Sequence, residues 1–239
     1  VARAVEYVDL QSKPKGVIPD IKGTEPVEAH KIVESALRAG VQRPIWLSAE
    51  EIIGLLNCYG IKMGETVMAE TPDEAAAAAE RLGFPVVVKL ASTTIVHKTE
   101  VNGVVLDVTS SEGVKMAFDD IRKRLSGIGR KDEMQGVLIQ KMVREGIETI
   151  IGVTHDPQFG PLIMFGLGGI YAELFKDTTI RLHPLTDVDA GDMIQSVKMA
   201  KLLSGYRGLP SSDTNALKDL LLRLSRMIED VPQIVELDF

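Results

Sequence analysis

The spacing of apolar and polar residues predicts helices and strands that follow each other in a mixed order. Ser48 and Glu51 form a capping box ahead of an amphipathic helix, and residues 71–74 combine a helix cap, a helix-start proline and an acidic first turn. Residues 85–90 are apolar except for Lys89, which predicts a buried strand. The remaining predicted elements are a short helix ending at Gly40, strands over 61–68, 103–109, 136–143, 147–154, 161–166 and 179–184, helices over 111–125, 187–203 and 213–229, and a last strand from Gln233.

This order has consequences for the fold class. The strands cluster ahead of the helices, which favours an α+β fold with antiparallel sheets over a doubly wound parallel sheet. Residues 11–26 hold three Pro and two Gly without helical periodicity, which is typical of a linker or an extended arm. In the helix over 111–125 we expect these side chains to face mostly inward: Val114, Met116, Phe118, Ile121 and Leu125.

Composition and charge narrow the functional classes. The 239 residues include 27 Lys+Arg and 34 Asp+Glu, a net charge of -7, which argues against a nucleic-acid or membrane-surface partner. Because Cys58 is the single cysteine and no stretch approaches the roughly 20 apolar residues that span a bilayer, we expect a cytoplasmic protein. Residues 1–8 lack the features of a signal peptide, and residues 235–239 have the pattern of a strand that continues beyond Phe239. We therefore expect a fragment of a longer polypeptide.

Two features suggest a phosphate-binding site. The chain has neither a P-loop nor a dinucleotide fingerprint, but residues 165–170 carry Gly168 and Gly169 after an apolar run. Glycines let backbone N–H groups approach a phosphate, but when the glycine pair is considered alone a tight turn is the favoured explanation. Lys89 in its apolar strand would pair with a nucleotide phosphate, or would be an edge lysine that deters aggregation.

The polar segment 92–103, between two predicted strands, contains a candidate nucleophile. A neutral imidazole nitrogen can accept a phosphoryl group, so His97 is a candidate carrier, and Lys98 would help neutralise the arriving charge. The alternative is an exposed loop histidine without a role. The other histidines, His30, His155 and His183, share no metal-ligand spacing.

Four carboxylates could act with Mg²⁺ or a nucleotide: Glu148, Glu173, Glu236 and Asp238. Glu236 and Asp238 are two residues apart in a predicted strand, so both would point to one face. Two negative charges on one face need a cation, hydrogen-bond donors or exposure to water.

Several motifs in one order resemble the nucleotide-binding, or beta, part of the ADP-forming (NDP-forming) acyl-CoA synthetases, the acetate-CoA ligase family. The resemblance covers about residues 48–239. The motifs are Val-Val-Val-Lys at 86–89, His-Lys-Thr-Glu at 97–100 ahead of Gly-Val, Asp-Pro-Gln-Phe-Gly-Pro at 156–161, Met-Phe-Gly-Leu-Gly-Gly-Ile at 164–170, Arg-Leu at 181–182 and Glu-Leu-Asp at 236–238.

The resemblance implies an ATP-grasp fold, in which two α+β subdomains clamp a nucleotide. Residues 1–47 would then be a linker and helix continuing from an upstream domain, residues 48–125 the first subdomain, and residues 126–239 a second, C-terminally incomplete subdomain. The family reaction converts acyl-CoA, ADP and phosphate reversibly to acid, CoA and ATP. A phosphoryl group passes from a histidine on the CoA-binding part to a second histidine on a mobile loop, and then to ADP.

By this resemblance His97 is the second histidine, and Asp238 holds it at the nucleotide site. The remaining roles implied are phosphate contact for Lys89, adenine contact through strand-end backbone for Gln140, Lys141 and Met142, ribose or metal contact for Glu148, a phosphate floor for Gly168 and Gly169, and a metal ligand in Glu236. ATP or ADP and Mg²⁺ are the implied cofactors. CoA would bind on the missing domains.

This sequence departs from the family in two places. Asn102 stands where the family usually has the first of two glycines, a position that Asn can fill because it tolerates left-handed geometry. The Asn-Pro and further acidic residue that normally follow Asp238 are not in this chain, so we expect the fragment alone to be inactive.

The implied partners are the CoA-binding and ligase domains, in the same chain or as a separate subunit, within an oligomer and without nucleic acid or membrane. One alternative is a non-catalytic regulatory module of the kind fused to a protein acetyltransferase; the residue that decides is a histidine upstream of Val1. Another is a succinyl-CoA synthetase-like enzyme, which the segments 97–100 and 164–170 fit less closely. The acyl group and the choice between ADP and GDP stay open.

Overall fold

The structure is a computed structural model of all 239 residues, and it describes residues 14–40, 43–169, 177–198, 200–208 and 210–239. Two compact units can be distinguished. One, the lysine-strand unit, comprises Lys31–Asn57 and Lys62–Glu145. The other, the glycine-loop unit, comprises Cys58–Ile61, Gly146–Phe239 and the described part of Val1–His30.

The described residues of the lysine-strand unit form four strands, together with helices and one 3₁₀ turn. They run in the order α1 (Pro26–Ala39, which begins just before this unit), α2 (Ala49–Asn57), β1 (Thr66–Ala69), α3 (Pro72–Leu82), β2 (Val86–Ala91), β3 (Val104–Val108), α4 (Ser111–Gly127), a 3₁₀ turn (Lys131–Glu133) and β4 (Gly136–Lys141). The predicted caps are confirmed. Thr71 accepts a hydrogen bond from the Glu74 N–H, and Ser48 and Glu51 exchange hydrogen bonds of 2.7 and 3.3 Å.

The sheet of this unit has the order β1-β4-β2-β3, with every neighbouring pair antiparallel. Strand β2 is central and is buried at all positions except Lys89, as its apolar sequence predicts. Helices α3 and α4 pack on the sheet and on each other. Their shared core is made of Ala, Val, Leu, Ile and Phe side chains, and Ile95 from the loop after β2 belongs to it.

The glycine-loop unit is built on a second antiparallel sheet, with the order β7-β6-β5-β8. Its elements are β5 (Thr149–Asp156), β6 (Gly160–Leu167), β7 (Thr178–Leu182), α5 (Asp187–Ser196), α6 (Ala200–Leu203), α7 (Thr214–Asp230) and β8 (Leu237–Asp238). Helix α5 packs against β6, β7 and α7. The α+β class with antiparallel sheets is therefore confirmed.

Several predicted boundaries differ from those observed. The strand expected from residue 61 begins at Thr66, the last strand contains only Leu237–Asp238, and the helix over 187–203 is two helices. Met116 is 59% exposed, because it lies on the side of α4 opposite the buried positions that follow Val114 at helical spacing.

The expected start of the second subdomain at residue 126 also differs from the observed grouping. Strand β4 pairs with both β1 and β2, so residues up to Glu145 group with the first sheet. Residues 14–25 contain no helix or strand, which agrees with the expected extended arm. Within the described ranges, no helix combines the length and the apolarity needed to cross a bilayer.

Candidate functional site

His97 is exposed, in a loop that leaves the buried strand β2 and returns as β3. On one side of it Ile95 is only 3% exposed and packs in the core. On the other side the chain turns tightly: the Gly103 N–H donates to the Lys98 carbonyl at 2.7 Å, and the Leu90 N–H donates to the Gly103 carbonyl at 2.7 Å. The imidazole is thus presented to solvent by a loop, here called the His97 loop (residues 92–103), whose two ends are anchored.

The backbone conformation of Asn102 explains why asparagine can stand where the family usually has the first of two glycines. Its φ of 51° lies in the left-handed region, which asparagine tolerates better than most residues. Gly103 next to it has no room for a side chain, because a Cβ there would lie 2.9 Å from Leu90 Cβ and 3.0 Å from the Lys98 carbonyl oxygen. The positions 102 and 103 therefore close the turn that carries His97.

Lys89 is a half-buried cation in the middle of β2, opposite Leu138 of β4 and Val104 of β3. No other side chain or carbonyl in the described ranges forms a hydrogen bond or ion pair with it. Burial lowers the pKa of Lys89 from its ordinary value, and the nearby positive charge of Lys98 lowers the pKa further. An ammonium that has lost water and faces a second ammonium favours an anion as its partner.

The end of β4 holds the three residues expected at the adenine. The Met142 N–H is already used, since it donates to the Pro85 carbonyl at 3.0 Å. Lys141 Nζ donates to the carbonyls of Gly83 and Phe84 at 2.6 and 2.9 Å, and Gln140 Nε2 donates to Thr66 Oγ1 at 2.7 Å. These side chains hold the ends of α3 and β1, so any adenine contact here would use the remaining backbone groups.

Glu148, Gly168 and Gly169 come together in the glycine-loop unit. The Gly168 N–H donates to the Glu148 carbonyl at 2.8 Å. A Cβ on Gly168 would lie 2.7 Å from Glu148 Cγ, and one on Gly169, whose φ is +60°, would lie 2.7 Å from Glu148 Oε2. Only glycines therefore let the exposed Glu148 carboxylate lie over this turn.

Asp238 lies at the edge of the same unit. It is opposite Gly152 of β5, and the pairing continues through Phe239, which exchanges backbone hydrogen bonds of 2.8 and 2.9 Å with Ile151. Asp238 and Glu236 are both exposed, on either side of the half-buried Leu237. Glu173, the other predicted carboxylate, lies outside the described residues.

The arrangement of possible metal-ligating side chains indicates how Mg²⁺ could bind. In the part of the chain that the structure describes, no three His, Cys, Asp or Glu side chains are grouped to hold a metal. Mg²⁺ is commonly held by one or two carboxylates together with substrate phosphates. The exposed carboxylate of Glu236 fits that mode, in which Mg²⁺ would supply positive charge to the phosphates.

The structure also reveals a polar cluster that the sequence did not predict. Thr94 Oγ1 donates to Glu133 Oε2 at 2.5 Å, and Arg130 binds both oxygens of Glu133 at 2.6 and 2.7 Å. The ion pair with Arg130, and then the bond from Thr94, lower the pKa of Glu133 to about 2. Thr94 and Glu133 are separated by 39 residues, so no local spacing indicates their contact.

Comparisons with known proteins show the family to which the chain belongs. A family model described as an ATP-grasp domain matches residues 36–239. The chain is 40% identical over 238 residues to the 4-hydroxybutyrate--CoA ligase [ADP-forming] of Nitrosopumilus maritimus, covering 100% of this chain and 34% of that protein. It is 40% identical over 209 residues to the acetate--CoA ligase [ADP-forming] II subunit beta of Pyrococcus furiosus, covering 87% of each.

Among solved structures, the chain is similar to acetyl-coenzyme A synthetase 1 of Ca. Korarchaeum cryptofilum in complex with coenzyme A, Ca-AMPCP and HgCl+. The TM-score is 0.80 at 38% identity, over 88% of this chain and 90% of that one. The chain spans about a third of the length of the Nitrosopumilus ligase but most of the Pyrococcus beta subunit. It therefore belongs to the ATP-grasp domain family and, within that family, to the nucleotide-binding part of the ADP-forming acyl-CoA synthetases.

Proposed function

We propose that this chain binds ADP and ATP and carries a phosphoryl group on His97 between the nucleotide and a CoA-binding part of the same enzyme. The overall reaction would convert acyl-CoA, ADP and phosphate to acid, CoA and ATP, in either direction. The observation that carries this proposal is the exposure of His97 in an anchored loop, next to Lys98 in sequence and in the same unit as Lys89. Lys89 has no anionic partner among the described side chains.

The proposed step at His97 balances in atoms and charge. In the direction of ATP synthesis, a phosphoryl group arrives on an unprotonated imidazole nitrogen and forms a P–N bond, while the donor keeps the electrons of the bond that breaks. A terminal oxygen of the ADP β-phosphate then attacks the phosphorus. The P–N bond breaks, the electron pair returns to the imidazole nitrogen, and the new P–O bond completes ATP.

Charge compensation is what the surrounding residues supply. Phosphoryl transfer needs chiefly positioning and neutralisation of developing negative charge. The half-buried ammonium of Lys89 would contact a nucleotide phosphate, and Lys98 would accompany the phosphoryl group on its neighbour His97. Because burial and Lys98 both disfavour the charged form of Lys89, a phosphate would relieve an existing electrostatic cost.

The glycine-loop unit would supply the other contacts. Gly168 and Gly169 would lie beneath phosphates, Glu148 would contact the ribose or Mg²⁺, and Glu236 would help to hold the metal. Asp238 would orient the His97 imidazole during transfer, and backbone groups over 140–142 would contact the adenine. The apposition of Glu148 with both glycines supports assigning these three residues to one site.

A further structure of the korarchaeal synthetase supports the carrier role. It is described with coenzyme A and Mg-AMPPCP, and with its phosphohistidine segment pointing towards the nucleotide binding site; its TM-score to this chain is 0.71. By analogy we propose ATP or ADP and Mg²⁺ as cofactors and the His97 loop as the corresponding segment. CoA would bind to CoA-binding and ligase domains, within an oligomeric cytoplasmic enzyme.

The test uses the full-length protein with γ-labelled ATP and Mg²⁺. We expect acid-stable label to be absent and acid-labile, base-stable label, typical of phosphohistidine, to appear on the tryptic peptide that contains His97. His97→Ala should abolish both this label and acyl-CoA-dependent ATP formation. His155→Ala is the matched control, because His155 is also exposed and belongs to no proposed site. Full labelling and turnover in His97→Ala would overturn the proposal.

A further inference from the structure

The polar cluster of Thr94, Arg130 and Glu133 lies where the His97 loop leaves the sheet. Thr94 is three residues before His97, and its hydroxyl donates to Glu133 at 2.5 Å. None of these three residues is assigned to the nucleotide or to the transferred phosphoryl group. Their position beside the carrier loop therefore calls for a separate explanation.

Glu133 is held on a firmly fixed segment. The Arg130 guanidinium binds both of its carboxylate oxygens, and the Arg130 N–H donates to the Leu125 carbonyl at the end of α4 at 2.8 Å. Beyond Glu133, the Gln135 N–H donates to the Ala91 carbonyl at 2.9 Å, which ties the segment to the last residue of β2. Glu133 is thus an anchor on the framework, and Thr94 is the group it restrains.

The restraint passes from Thr94 towards His97 through a compact turn. Ser92 Oγ accepts the N–H groups of Thr94 and Ile95 at 3.2 and 3.0 Å, and Ile95 packs in the core. The carrier residue follows Ile95 by two positions. Any tilt of this turn would move the His97 imidazole, because so short a backbone transmits the displacement almost directly.

The other end of the loop is fixed independently. Arg124 of α4 donates to the Asn102 carbonyl at 2.8 Å, and the Asn102 N–H donates to the Thr99 carbonyl at 3.0 Å. The His97 loop therefore has two anchors. One is made of backbone hydrogen bonds, the Gly103 turn and the Arg124 side chain. At the other, Ile95 packs in the core, Ser92 Oγ holds the turn, and the hydrogen bond from Thr94 to Glu133 ties the turn to the segment after α4.

We propose that Thr94 and Glu133 are positioning residues that hold the N-terminal end of the His97 loop, so that the imidazole keeps its alignment during phosphoryl transfer. This inference rests on the proposed carrier role of His97. Thr94 acts by donating its hydroxyl proton in a hydrogen bond, and Glu133 acts by accepting it as an ionised carboxylate. Neither group contacts the phosphorus.

The test compares Thr94→Val with Thr94→Ser in the full-length protein. Valine keeps the shape of threonine but removes the hydroxyl, whereas serine keeps the hydroxyl. We expect Thr94→Val to slow His97 labelling by γ-labelled ATP by roughly tenfold to a hundredfold, since small misplacements of reacting groups cost that much. The dissociation constant for ADP should stay within about twofold, and Thr94→Ser should restore most of the rate. Thr93→Val is the matched control, because no side-chain hydrogen bond links Thr93 to another described residue.

Hydrogen exchange gives a second readout that does not depend on activity. Thr94→Val should increase amide exchange over 92–103 while exchange in β2 and α4 stays unchanged. An equal labelling rate in Thr94→Val and Thr93→Val, or a Thr94→Ser variant as slow as Thr94→Val, would overturn the proposal. If the unmodified protein places no phosphate on His97, the carrier role fails, and the exchange comparison alone then decides whether Thr94 restrains the loop.

Discussion

Glu148 Oε2 lies 2.7 Å from the point that a Cβ atom of Gly169 would occupy. A methyl group there must displace the carboxylate, and the φ of +60° at Gly169 adds backbone strain for any other residue. The carboxylate of Glu148 can therefore keep this position only while residue 169 has no side chain. This dependence leads to the first prediction.

We expect Gly169→Ala to lower the free energy of unfolding by about 1–2 kcal/mol and to weaken ADP binding, because the Glu148 side chain is pushed out of place. Gly191→Ala is the control, since Gly191 lies inside helix α5 with open space around it and alanine favours a helix. Urea unfolding and ADP titration measure the two effects. Unchanged ADP affinity in Gly169→Ala would show that the position of Glu148 does not contribute to nucleotide binding.

The second prediction concerns the pH dependence of nucleotide binding through Lys89. Burial and Lys98 lower the pKa of Lys89 in the free protein, and a bound phosphate would raise it. ADP affinity should therefore be full below the free-state pKa and should fall as the pH rises through it. In calorimetric titrations we expect Lys89→Met to weaken ADP binding about ten- to a hundredfold and to remove this dependence. Lys123→Met, at an exposed position of α4, should retain both.

The third prediction concerns Glu133, whose pKa is held at about 2 first by Arg130 and then by Thr94. Carbon-13 NMR of the side-chain carboxyl should show that Arg130→Met raises this pKa more than Thr94→Val does. Because the folded-state pKa is depressed, the stabilisation is complete above the unfolded-state value and is lost only as the pH falls towards about 2. Added salt should reduce the shift, since the pair is partly exposed. An ordinary glutamate titration would contradict the structure.

The fourth prediction concerns Asn102, whose φ is 51°. Asn102→Gly should leave the free energy of unfolding unchanged or slightly raised, whereas Asn102→Ala should lower it by about 1 kcal/mol. At Asn215, in the first turn of helix α7, alanine should be at least as stabilising as glycine. Urea unfolding of the four variants tests this reversal. If the Ala variant were at least as stable as the Gly variant at both positions, the left-handed conformation of residue 102 would not lower the free energy of unfolding of a variant with a side chain there.

The parts of the fold that follow from neighbouring residues were predictable. The caps at Thr71 and Ser48 involve groups three residues apart, and the apolar run of β2 is sufficient to predict a central strand. The break in the helix expected over 187–203 was not predictable. There the Lys198 N–H donates to the buried Asp177 at 2.7 Å, and this partner is 21 residues away in sequence.

The same distinction applies to the candidate site. His97, Lys89 and the glycine pair could be selected because their motifs are contiguous in the sequence. The insertion of β4 between β1 and β2 could not, because sheet order depends on pairing between distant segments. Likewise, the contact of Thr94 with Glu133 requires α4 and the following turn to return to the end of β2.

If His97 carries a phosphate as proposed, the burial of Ile95 would limit how far that phosphate could travel. Two residues of extended backbone reach only about 7 Å, so a longer journey requires Ile95 to leave the core. Exposing such a side chain to water costs roughly 1.5–3 kcal/mol, which corresponds to a detached loop in about 0.6 to 7 per cent of molecules. Transfer over a long distance would then use the minor conformer in which Ile95 has left the core. A larger or smaller aliphatic side chain at position 95 should therefore change the population of that conformer.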